Sequence, residues 1–395
     1  MPQILPLKGI TVVSIEHAVA APFATRQLAD LGARVIKIER PDGGDFARAY
    51  DTAVNGLSSY FVWLNRAKAS LTLNLKRAEA RDVLDRLLAT ADVFVQNLAP
   101  GAAARLDLAG DGLRARYPAL VVCSISGYGA TGPSADKKAY DLLVQSEAGL
   151  LSITGTDDAP CRTGISVADI AAGMYAYSGI LAALLARART GTGTSMDVSL
   201  FDALAEWMSA PAYYTAYGGA PPPRTGAHHA SIAPYGPFPA GDGTTVLLAV
   251  QNAREWDRFC HLVLEQPSLA GDPRFRTNPL RVRHRAALSP IIAGVFGGLS
   301  AAALRARLDA AQIAYARLNS IADFLRHPQL LSRDGWSDIP SPAGPIRALR
   351  PPVRMADCEP VMGAIPELGQ HTDTILEELG FERATIAAWR QEGIV

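Results

Sequence analysis

Short apolar runs rich in β-branched residues alternate with amphipathic stretches through the first two hundred residues of the chain. The first pair is "GITVVSI" followed by "APFATRQLADLGA", which Gly32 ends, and the next apolar run is "RVIKIER", which Pro41 ends. Apolar runs of this kind predict strands, and the helical spacing of apolar residues between them predicts helices. Strands and helices in alternation indicate a parallel sheet with helices on both faces.

The alternation continues along the chain. It predicts strands at "SLTLNL", "DVFVQNL" and "ALVVCSISGYG", the last running into a glycine-rich loop, and an amphipathic helix at "RAEARDVLDRLLATA". A long apolar helix follows from Asp169, and "TGTG" ends it. "SMDVSLFDALAEWM" then predicts a strand that passes into a helix. The fold class predicted for this region is α/β, with a Rossmann-like large domain.

Glycine and proline dominate residues 217–243, where we expect regular structure to pause. The strand pattern "TTVLLAV", several helices and a proline-punctuated stretch at 327–366 come next, and two short helices end the chain. We therefore predict a large domain from residues 1–215 and 326–395, built from both chain ends. A smaller α+β domain would occupy residues 216–325.

The segment Ile170–Ala186 is the only candidate for a membrane span. It carries no charge, but it contains Tyr175, Tyr177 and Ser178 and is shorter than the roughly 20 residues a span needs. A buried helix is the favoured interpretation. The N-terminal stretch has no basic segment followed by an apolar core and a cleavage site, so we expect a cytoplasmic protein that is not exported.

Charge and cysteine usage narrow the choice of partners. The formal net charge is zero, which gives no basic field for nucleic acid. Four cysteines are scattered without a CxxC pair, which favours reduced thiols over a disulfide framework or a zinc site.

Motifs for other cofactors are missing. The first strand-to-helix turn, "IEHAVAAP", lacks GxGxxG, and "GYGATGP" lacks the lysine and hydroxyl of a phosphate loop. His228 and His229 are adjacent, so on a strand they face opposite ways and do not share a metal. Hydride transfer and metal catalysis are therefore disfavoured.

Two residues stand out as candidates for chemistry. His17 follows the first strand, where open α/β sheets place ligands, although a lone histidine more often has a structural role. Asp169 opens a helix in "GISVADIAAGMYA", which is typical of an N-cap. The N–H groups of a helix start also stabilise developing negative charge, so a nucleophilic carboxylate is the alternative. Taken alone, the residues favour the cap.

The chain as a whole resembles the family III CoA-transferases, the group of formyl-CoA transferase and carnitine CoA-transferase. The matching segments occur in the family's order and cover nearly the full length. They are "LKGITVVSIEH", "QLADLGARVIKIERP", "LNRAKASLTLNLK", "ADVFVQNLAPGAAARL", "SISGYGATGP", "AYDLLVQSEAGL", "ADIAAGMYAYSGILAAL", "TGTGTSMDVSLFDA" and "LGQHTDTIL".

The resemblance implies that Asp169 is the nucleophile and that Tyr140 and Asp141 orient the intermediate. It also implies CoA contacts by His17, Arg40, Leu73, Lys76, Asn97, Leu98, Arg105 and Lys138. Four of these residues offer positive charge to the CoA phosphates, and the two leucines offer apolar contact to adenine. No permanently bound cofactor or metal is implied, because CoA thioesters are the substrates.

The implied reaction moves CoA from a donor acyl-CoA to a small carboxylic acid through a covalent aspartyl-CoA thioester at Asp169. The alternative is an α-methylacyl-CoA racemase of the same superfamily. Such a racemase uses a His-Asp dipeptide in the segment where this chain has Tyr140. A phenol exchanges an α-proton poorly at neutral pH, so the transferase is favoured.

The donor and acceptor expected are succinyl-CoA and a small dicarboxylate such as itaconate, mesaconate, citramalate or glutarate. The resemblance of "RTGAHHASIAPYGPFPAGDG" to dicarboxylate-type members motivates this expectation. A dicarboxylate needs a cation for its distal carboxylate, and the candidates are Arg48, Arg66, Arg224, His228 and His229.

Two departures from the family bear on substrate choice. Val19 stands where some relatives have glutamine, and the glycine-run lid of formyl-CoA transferase is absent. The resemblance further implies an interlocked homodimer, with no nucleic-acid or membrane partner.

Overall fold

A computed structural model describes residues 5–395. Residues 1–4 lie outside the described residues, and so does the beginning of the N-terminal stretch in which no export signal is expected. The chain forms two compact units. The first comprises the chain up to Ala148, Thr163–Met208 and Gln329–Val395, and the second comprises Gly149–Arg162 and Ser209–Pro328. The division differs from the predicted one because residues 149–162 join the smaller unit.

The structure has eleven strands and eighteen α-helices within residues 5–395. The strands are β1 (Thr11–Ile15), β2 (Arg34–Glu39), β3 (Lys68–Thr72), β4 (Val93–Gln96), β5 (Val121–Ser126), β6 (Ser195–Ser199), β7 (Tyr235–Pro239), β8 (Thr245–Ala249), β9 (Ala314–Arg317), β10 (Trp336–Ile339) and β11 (Ile346–Leu349). The helices are α1 (Ala20–Asp30), α2 (Ser59–Leu64), α3 (Ala78–Thr90), α4 (Ala102–Arg105), α5 (Gly110–Arg116), α6 (Asp141–Glu147), α7 (Leu150–Ile153), α8 (Val167–Thr190), α9 (Leu200–Trp207), α10 (Ser209–Gly218), α11 (Ala253–Arg258), α12 (Asn278–Arg283), α13 (Arg285–Phe296), α14 (Ala301–Ala311), α15 (Ile321–Leu325), α16 (Pro328–Ser332), α17 (Thr372–Glu378) and α18 (Arg383–Gln391).

The first unit is built on a six-stranded parallel sheet in the order β3-β2-β1-β4-β5-β6. This confirms the predicted α/β class and the strands predicted from the apolar runs. The strand order reverses between β1 and β4, because the chain runs outward through β1, β2 and β3 and then returns to place β4 on the other side of β1. A crevice opens at such a reversal, outside the carboxyl ends of the strands, and it is where open α/β sheets bind ligands.

The two faces of the sheet bury different side chains, because successive residues of a strand point to opposite faces. One face is apolar: Ile36 and Ile38 of β2 pack with helices α3 and α17. The other face takes Val35, Lys37 and Glu39 of the same strand, and both charged residues are buried. Buried charges need partners, so this second face carries a network of ion pairs.

Helix α8 is long and apolar enough, at 24 residues and a mean hydropathy of 1.4, to cross a membrane. It packs instead along helix α1, as the sequence predicted for a buried helix. Gly173 makes the crossing close, because a Cβ there would lie 2.7 Å from the carbonyl oxygen of Ala20 and 3.0 Å from the Phe23 ring. The face with Ala168, Ala172 and the glycine is fully covered.

The second unit has a three-stranded antiparallel sheet, β7-β8-β9, that packs on helices α11, α13 and α14. Strand β7 lies inside the stretch where regular structure was expected to pause, so that expectation was wrong for residues 235–239. The two prolines of "YGPFP" are tolerated because β7 is an edge strand. A separate antiparallel pair, β10-β11, lies in the first unit.

Candidate active site

Asp169 is the third residue of helix α8, not its cap. The N-cap residue is Ser166, whose side chain makes no capping hydrogen bond. The interpretation of Asp169 as an N-cap was therefore wrong. Its place in the first turn still sets the carboxylate near the positive end of the helix dipole.

Asp141 caps this helix from a distance in sequence. Its Oδ1 accepts hydrogen bonds from the backbone N–H groups of Ala168 (2.8 Å) and Asp169 (3.4 Å). Its Oδ2 accepts from Nε2 of the buried Gln145 at 2.6 Å. The Asp141 carboxylate thus satisfies amide donors that the start of a helix leaves without partners. It also fixes helix α6 against the turn that carries Asp169.

The backbone N–H groups in the first turn of α8 are already engaged in hydrogen bonds. Val167 donates its N–H to the Ile165 carbonyl, and Ile170 donates to the Ser166 carbonyl. Together with the two amides held by Asp141, this engages the N–H groups of the first turn. In this structure the start of α8 therefore offers no open N–H for an oxyanion, contrary to the sequence expectation.

The carboxyl group of Asp169 titrates far from its usual range. Burial and, to a smaller extent, the neighbouring Asp141 carboxylate together raise its pKa from 3.8 to about 7. No hydrogen bond from residues 5–395 stabilises the ionised form. A carboxylate that is poorly solvated and accepts no hydrogen bond is a stronger nucleophile than one in water.

Tyr140 and Tyr50 complete the surroundings of Asp169. Tyr140 directly precedes α6 and is 64% exposed. Burial, followed by the charges of Asp45 and Asp169, raises the pKa of the Tyr50 phenol to about 12. Tyr50 thus stays protonated and lies within the field of the Asp169 carboxylate. Sequence analysis missed it, since only its place in the loop after β2 hints at a site.

Exposed aromatic rings continue from Tyr50 in both directions. Its ring lies 5.7 Å from that of Phe46 and 5.5 Å from that of Tyr60, and Tyr60 lies 6.4 Å from Trp63. Phe46, Tyr50 and Trp63 all keep more than a third of their surface exposed. These rings form an aromatic wall that includes Tyr50, whose phenol is influenced by the charge of Asp169.

His17 and Asn97 meet where the strand order reverses. The backbone N–H of His17 donates to Oδ1 of Asn97 at 2.9 Å, and Nδ2 of Asn97 donates to the His17 carbonyl at 2.8 Å. The Asn97 side chain therefore ties the loop after β1 to the loop after β4. Its predicted contact with CoA stays a prediction.

The other predicted CoA residues follow the carboxyl ends of successive strands. Four exposed bases lie there: Arg40 after β2, Lys76 after β3, Arg105 after β4 and Lys138 after β5. Parallel strands end at one edge of the sheet, so the positive charge collects at that edge.

The two leucines predicted to contact adenine differ in exposure. Leu73 is only 1% exposed and packs in the core beneath the sheet, whereas Leu98 is half-buried at the edge of that core. Both contacts with CoA stay predictions.

Two of the cations proposed for a distal carboxylate are engaged in structural ion pairs. Arg48 binds Glu39 with two hydrogen bonds of 2.8 Å, and its guanidinium lies 3.7 Å from the Phe61 ring centroid. Arg66 is buried and binds both oxygens of Asp30 at 2.7 Å. The interpretation of Arg48 and Arg66 as free cations was therefore wrong.

The remaining three cations lie in the second unit. Arg224 donates to the carbonyl oxygens of Thr156 and Asp157, each at 2.8 Å, so it holds residues 149–162 in that unit. His228 packs edge-on against Phe238, and His229 stacks on Tyr235. No group of three His, Cys, Asp or Glu residues suited to a metal occurs within residues 5–395.

Comparison with known proteins adds a family match and full-length relatives. The family model described as CoA-transferase family III matches residues 7–372. Mouse succinyl-CoA:glutarate CoA-transferase is 35% identical over 99% of this chain and 90% of its own length. Succinate–glutarate CoA-transferase of Agrobacterium fabrum is 35% identical over 95% of this chain and 96% of its own. A crystal structure of a CAIB/BAIF family protein from Brucella suis superposes with a TM-score of 0.82 at 34% identity, covering 95% of this chain and 100% of that one.

Proposed function

This chain belongs to CoA-transferase family III, and on that premise we propose that it moves CoA from succinyl-CoA to a C5 dicarboxylate through Asp169. The observation that carries the proposal is the state of that carboxylate. It sits in the first turn of α8, poorly solvated and without a hydrogen-bond donor, beside a second carboxylate that holds the turn in place.

The reaction proceeds in four attacks at carbonyl carbon. An oxygen of ionised Asp169 attacks the donor thioester, which gives a mixed anhydride and CoA thiolate. The thiolate attacks the aspartyl carbonyl, releases the donor acid and leaves an aspartyl-CoA thioester. The acceptor carboxylate attacks this thioester and expels the thiolate, which then attacks the acceptor's acyl carbon. Asp169 is regenerated, and no proton is gained or lost overall.

Each neighbour of Asp169 has a defined part in these steps. Asp141 holds the first turn of α8 by its hydrogen bonds. Its charge also helps to raise the pKa of Asp169, so that the ionised Asp169 carboxylate is more basic and more nucleophilic. The protonated phenol of Tyr50 supplies a hydrogen-bond donor for the tetrahedral oxyanion, which the engaged helix amides do not supply. The aromatic wall that begins at Phe46 excludes water, which would hydrolyse the anhydride.

The substrates are proposed from the relatives. Two proteins about one-third identical to this chain over nearly its full length are named for succinyl-CoA or succinate and for glutarate. Glutarate is therefore the first acceptor to test, ahead of itaconate, mesaconate and citramalate. Arg48 and Arg66 are not proposed as the cation for the distal carboxylate, because both are engaged in structural ion pairs.

Incubation of the purified protein with succinyl-CoA and a panel of acids, followed by mass spectrometry of the CoA esters, tests the substrate pair. The panel includes glutarate, itaconate, formate, oxalate and butyrate. Formation of glutaryl-CoA or itaconyl-CoA supports the proposal, and transfer to monocarboxylates alone contradicts it. Hydroxylamine added during turnover converts the aspartyl thioester to a hydroxamate, which peptide mapping locates at Asp169.

We also propose a homodimer of the interlocked kind implied by the family resemblance. Exposed aromatic residues support a protein interface, since Tyr213, Tyr214 and Tyr217 of α10 are all open to solvent and the last is 86% exposed. Light scattering that reports the mass of one chain at micromolar concentration would rule the dimer out.

A further inference from the structure

Asp45 joins two loops at the carboxyl edge of the sheet. Its Oδ1 accepts hydrogen bonds from the backbone N–H groups of Ala18 (3.1 Å) and Ala47 (2.9 Å). Its Oδ2 accepts from Nζ of the buried Lys37 at 2.6 Å. Asp45 is 0% exposed, so one enclosed carboxylate fixes the turn after β1 and the short 3-10 helix Phe46–Ala49 at once.

The Asp45 carboxyl is ionised in this setting. Burial works to raise its pKa, but the charge of Lys37 and the hydrogen bonds from Lys37 and the two amides bring the pKa below its usual value. The geometry of Ala18 shows that the contact constrains the turn. Ala18 has φ +60, a left-handed conformation that non-glycine residues adopt rarely and that needs support from its surroundings.

The His17 ring faces this carboxylate. Its Nδ1 lies 3.9 Å from Oδ1 of Asp45, is buried, and has no hydrogen-bond partner within residues 5–395. The ring stacks on Phe46 with centroids 5.4 Å apart and planes 19° from parallel. Burial is the largest influence on the pKa of His17 and lowers it, so the imidazole is neutral at physiological pH despite the nearby carboxylate.

A neutral imidazole carries one proton, and its location follows from electrostatics. If Nδ1 were bare, its partial negative charge would lie 3.9 Å from an ionised carboxylate oxygen, which is repulsive. If Nδ1 carries the proton, the partial positive charge of the N–H group lies near the same carboxylate, which is attractive. The proton therefore resides on Nδ1, and Nε2 carries the free lone pair.

We propose that Asp45 is a positioning residue that holds His17 in the Nδ1-protonated tautomer, so that Nε2 accepts a hydrogen bond from a donor group of the CoA chain. The inference rests on the proposed function, which supplies CoA as the ligand near His17. The donor is an amide N–H of the pantetheine arm or the terminal thiol. Asp45 touches neither and acts only through the histidine.

A pair of matched variants separates this role from general stability. Asp45→Asn keeps an oxygen for the amides of Ala18 and Ala47 but removes the charge that His17 faces. Asp30→Asn is the control, because Asp30 is an equally buried aspartate that binds Arg26 and Arg66. Both variants are expected to lower the melting temperature. Only Asp45→Asn is expected to weaken CoA binding in calorimetry, by about five- to tenfold, which is the loss of one neutral hydrogen bond.

A double-mutant cycle tests whether Asp45 acts through His17. His17→Ala alone is expected to weaken CoA binding to a similar degree, and Asp45→Asn in the His17→Ala background is expected to add nothing. Additive losses would overturn the proposal. Desulfo-CoA identifies the donor: an undiminished effect of Asp45→Asn with this ligand assigns the amide, and a vanished effect assigns the thiol.

A measurement on the unaltered protein keeps the proposal testable if Asp45→Asn does not fold. Nitrogen-15 NMR of ring-labelled histidine, with the His17 signals assigned from a His17→Gln sample, shows directly which ring nitrogen carries the proton. A protonated Nε2 or an imidazolium at pH 7 would overturn the inference. Failure of the unaltered protein to bind CoA would instead overturn the proposed function and leave the tautomer result standing.

Discussion

The charge of Asp141 is expected to control the pH at which the enzyme becomes active. Asp141→Asn removes that charge while keeping an oxygen within reach of the Ala168 amide. The pKa of Asp169 rises from 3.8 to about 7, which is about three units, and burial is the larger of the two causes. The share of Asp141 is therefore below about one and a half units, and we take about one unit, equivalent to ~1.4 kcal/mol.

The direction follows from the chemistry. In the proposed reaction Asp169 attacks as a carboxylate, so kcat/KM for succinyl-CoA is expected to rise with pH through the pKa of the free enzyme. Removing a neighbouring negative charge makes ionisation easier and lowers that pKa. The midpoint of the profile is expected to move from about pH 7 to about pH 6. At pH 6 the ionised fraction of Asp169 then grows roughly fivefold.

Initial rates of glutaryl-CoA formation between about pH 5 and 9 give both profiles. Each variant is normalised to its own alkaline plateau, because the weaker cap in Asp141→Asn also lowers the plateau. Asp30→Asn serves as the control and is expected to leave the midpoint unchanged, since Asp30 is engaged with Arg26 and Arg66. If the midpoint of the Asp141→Asn profile is unchanged or moves to higher pH, the assigned effect of the Asp141 charge on the pKa of Asp169 is refuted.

Three further outcomes follow from the geometry. Asp169→Asn is expected to abolish transfer yet raise thermal stability above pH 7, because the raised pKa of Asp169 means that its ionised form is unfavourable in the folded protein. The gain in stability is expected to be absent near pH 4, to grow up to about pH 7 and then to level off. Melting curves recorded across this pH range measure it. Gly127→Ala is expected to cost at least tenfold in kcat/KM with CoA affinity less affected, because a Cβ there would lie 2.2 Å from Cβ of Ala139, next to the catalytic segment. Gly173→Ala is expected to destabilise the protein by about 1–3 kcal/mol in urea unfolding, since its Cβ meets the backbone carbonyl of Ala20; unchanged stability would contradict the close crossing.

The sheet was predictable from the sequence because its signals are local. The apolar runs of β1, β2, β4 and β5 are buried on both faces, so their composition alone indicates parallel strands. Strand β7 was missed because its prolines mask the pattern, and only its place at the sheet edge makes them acceptable. Nothing in the local sequence reveals that a strand is at an edge.

The sequence predicted single candidate residues of the site but not the partners that they contact in the fold. The resemblance selected Asp169, but the local preference for aspartate at helix starts suggested a cap, and the actual cap comes from Asp141, 28 residues earlier. Arg66 likewise looks like a cation available for a ligand in the sequence, but in the fold it binds Asp30, which is 36 residues away. Partners that meet only through tertiary packing decide these roles, and their spacing in sequence carries no signal.

The close crossing of α1 and α8 has a mechanical consequence. The glycine at the contact lies four residues beyond Asp169, and its neighbour Ala20 lies three residues beyond His17. The two helices meet backbone to side chain without an intervening layer, so neither shifts along the other without a steric clash. This contact is thus expected to hold Asp169 and the turn at His17 in a fixed relation. We expect the distance from Asp169 to His17 to change little between successive steps of the proposed reaction.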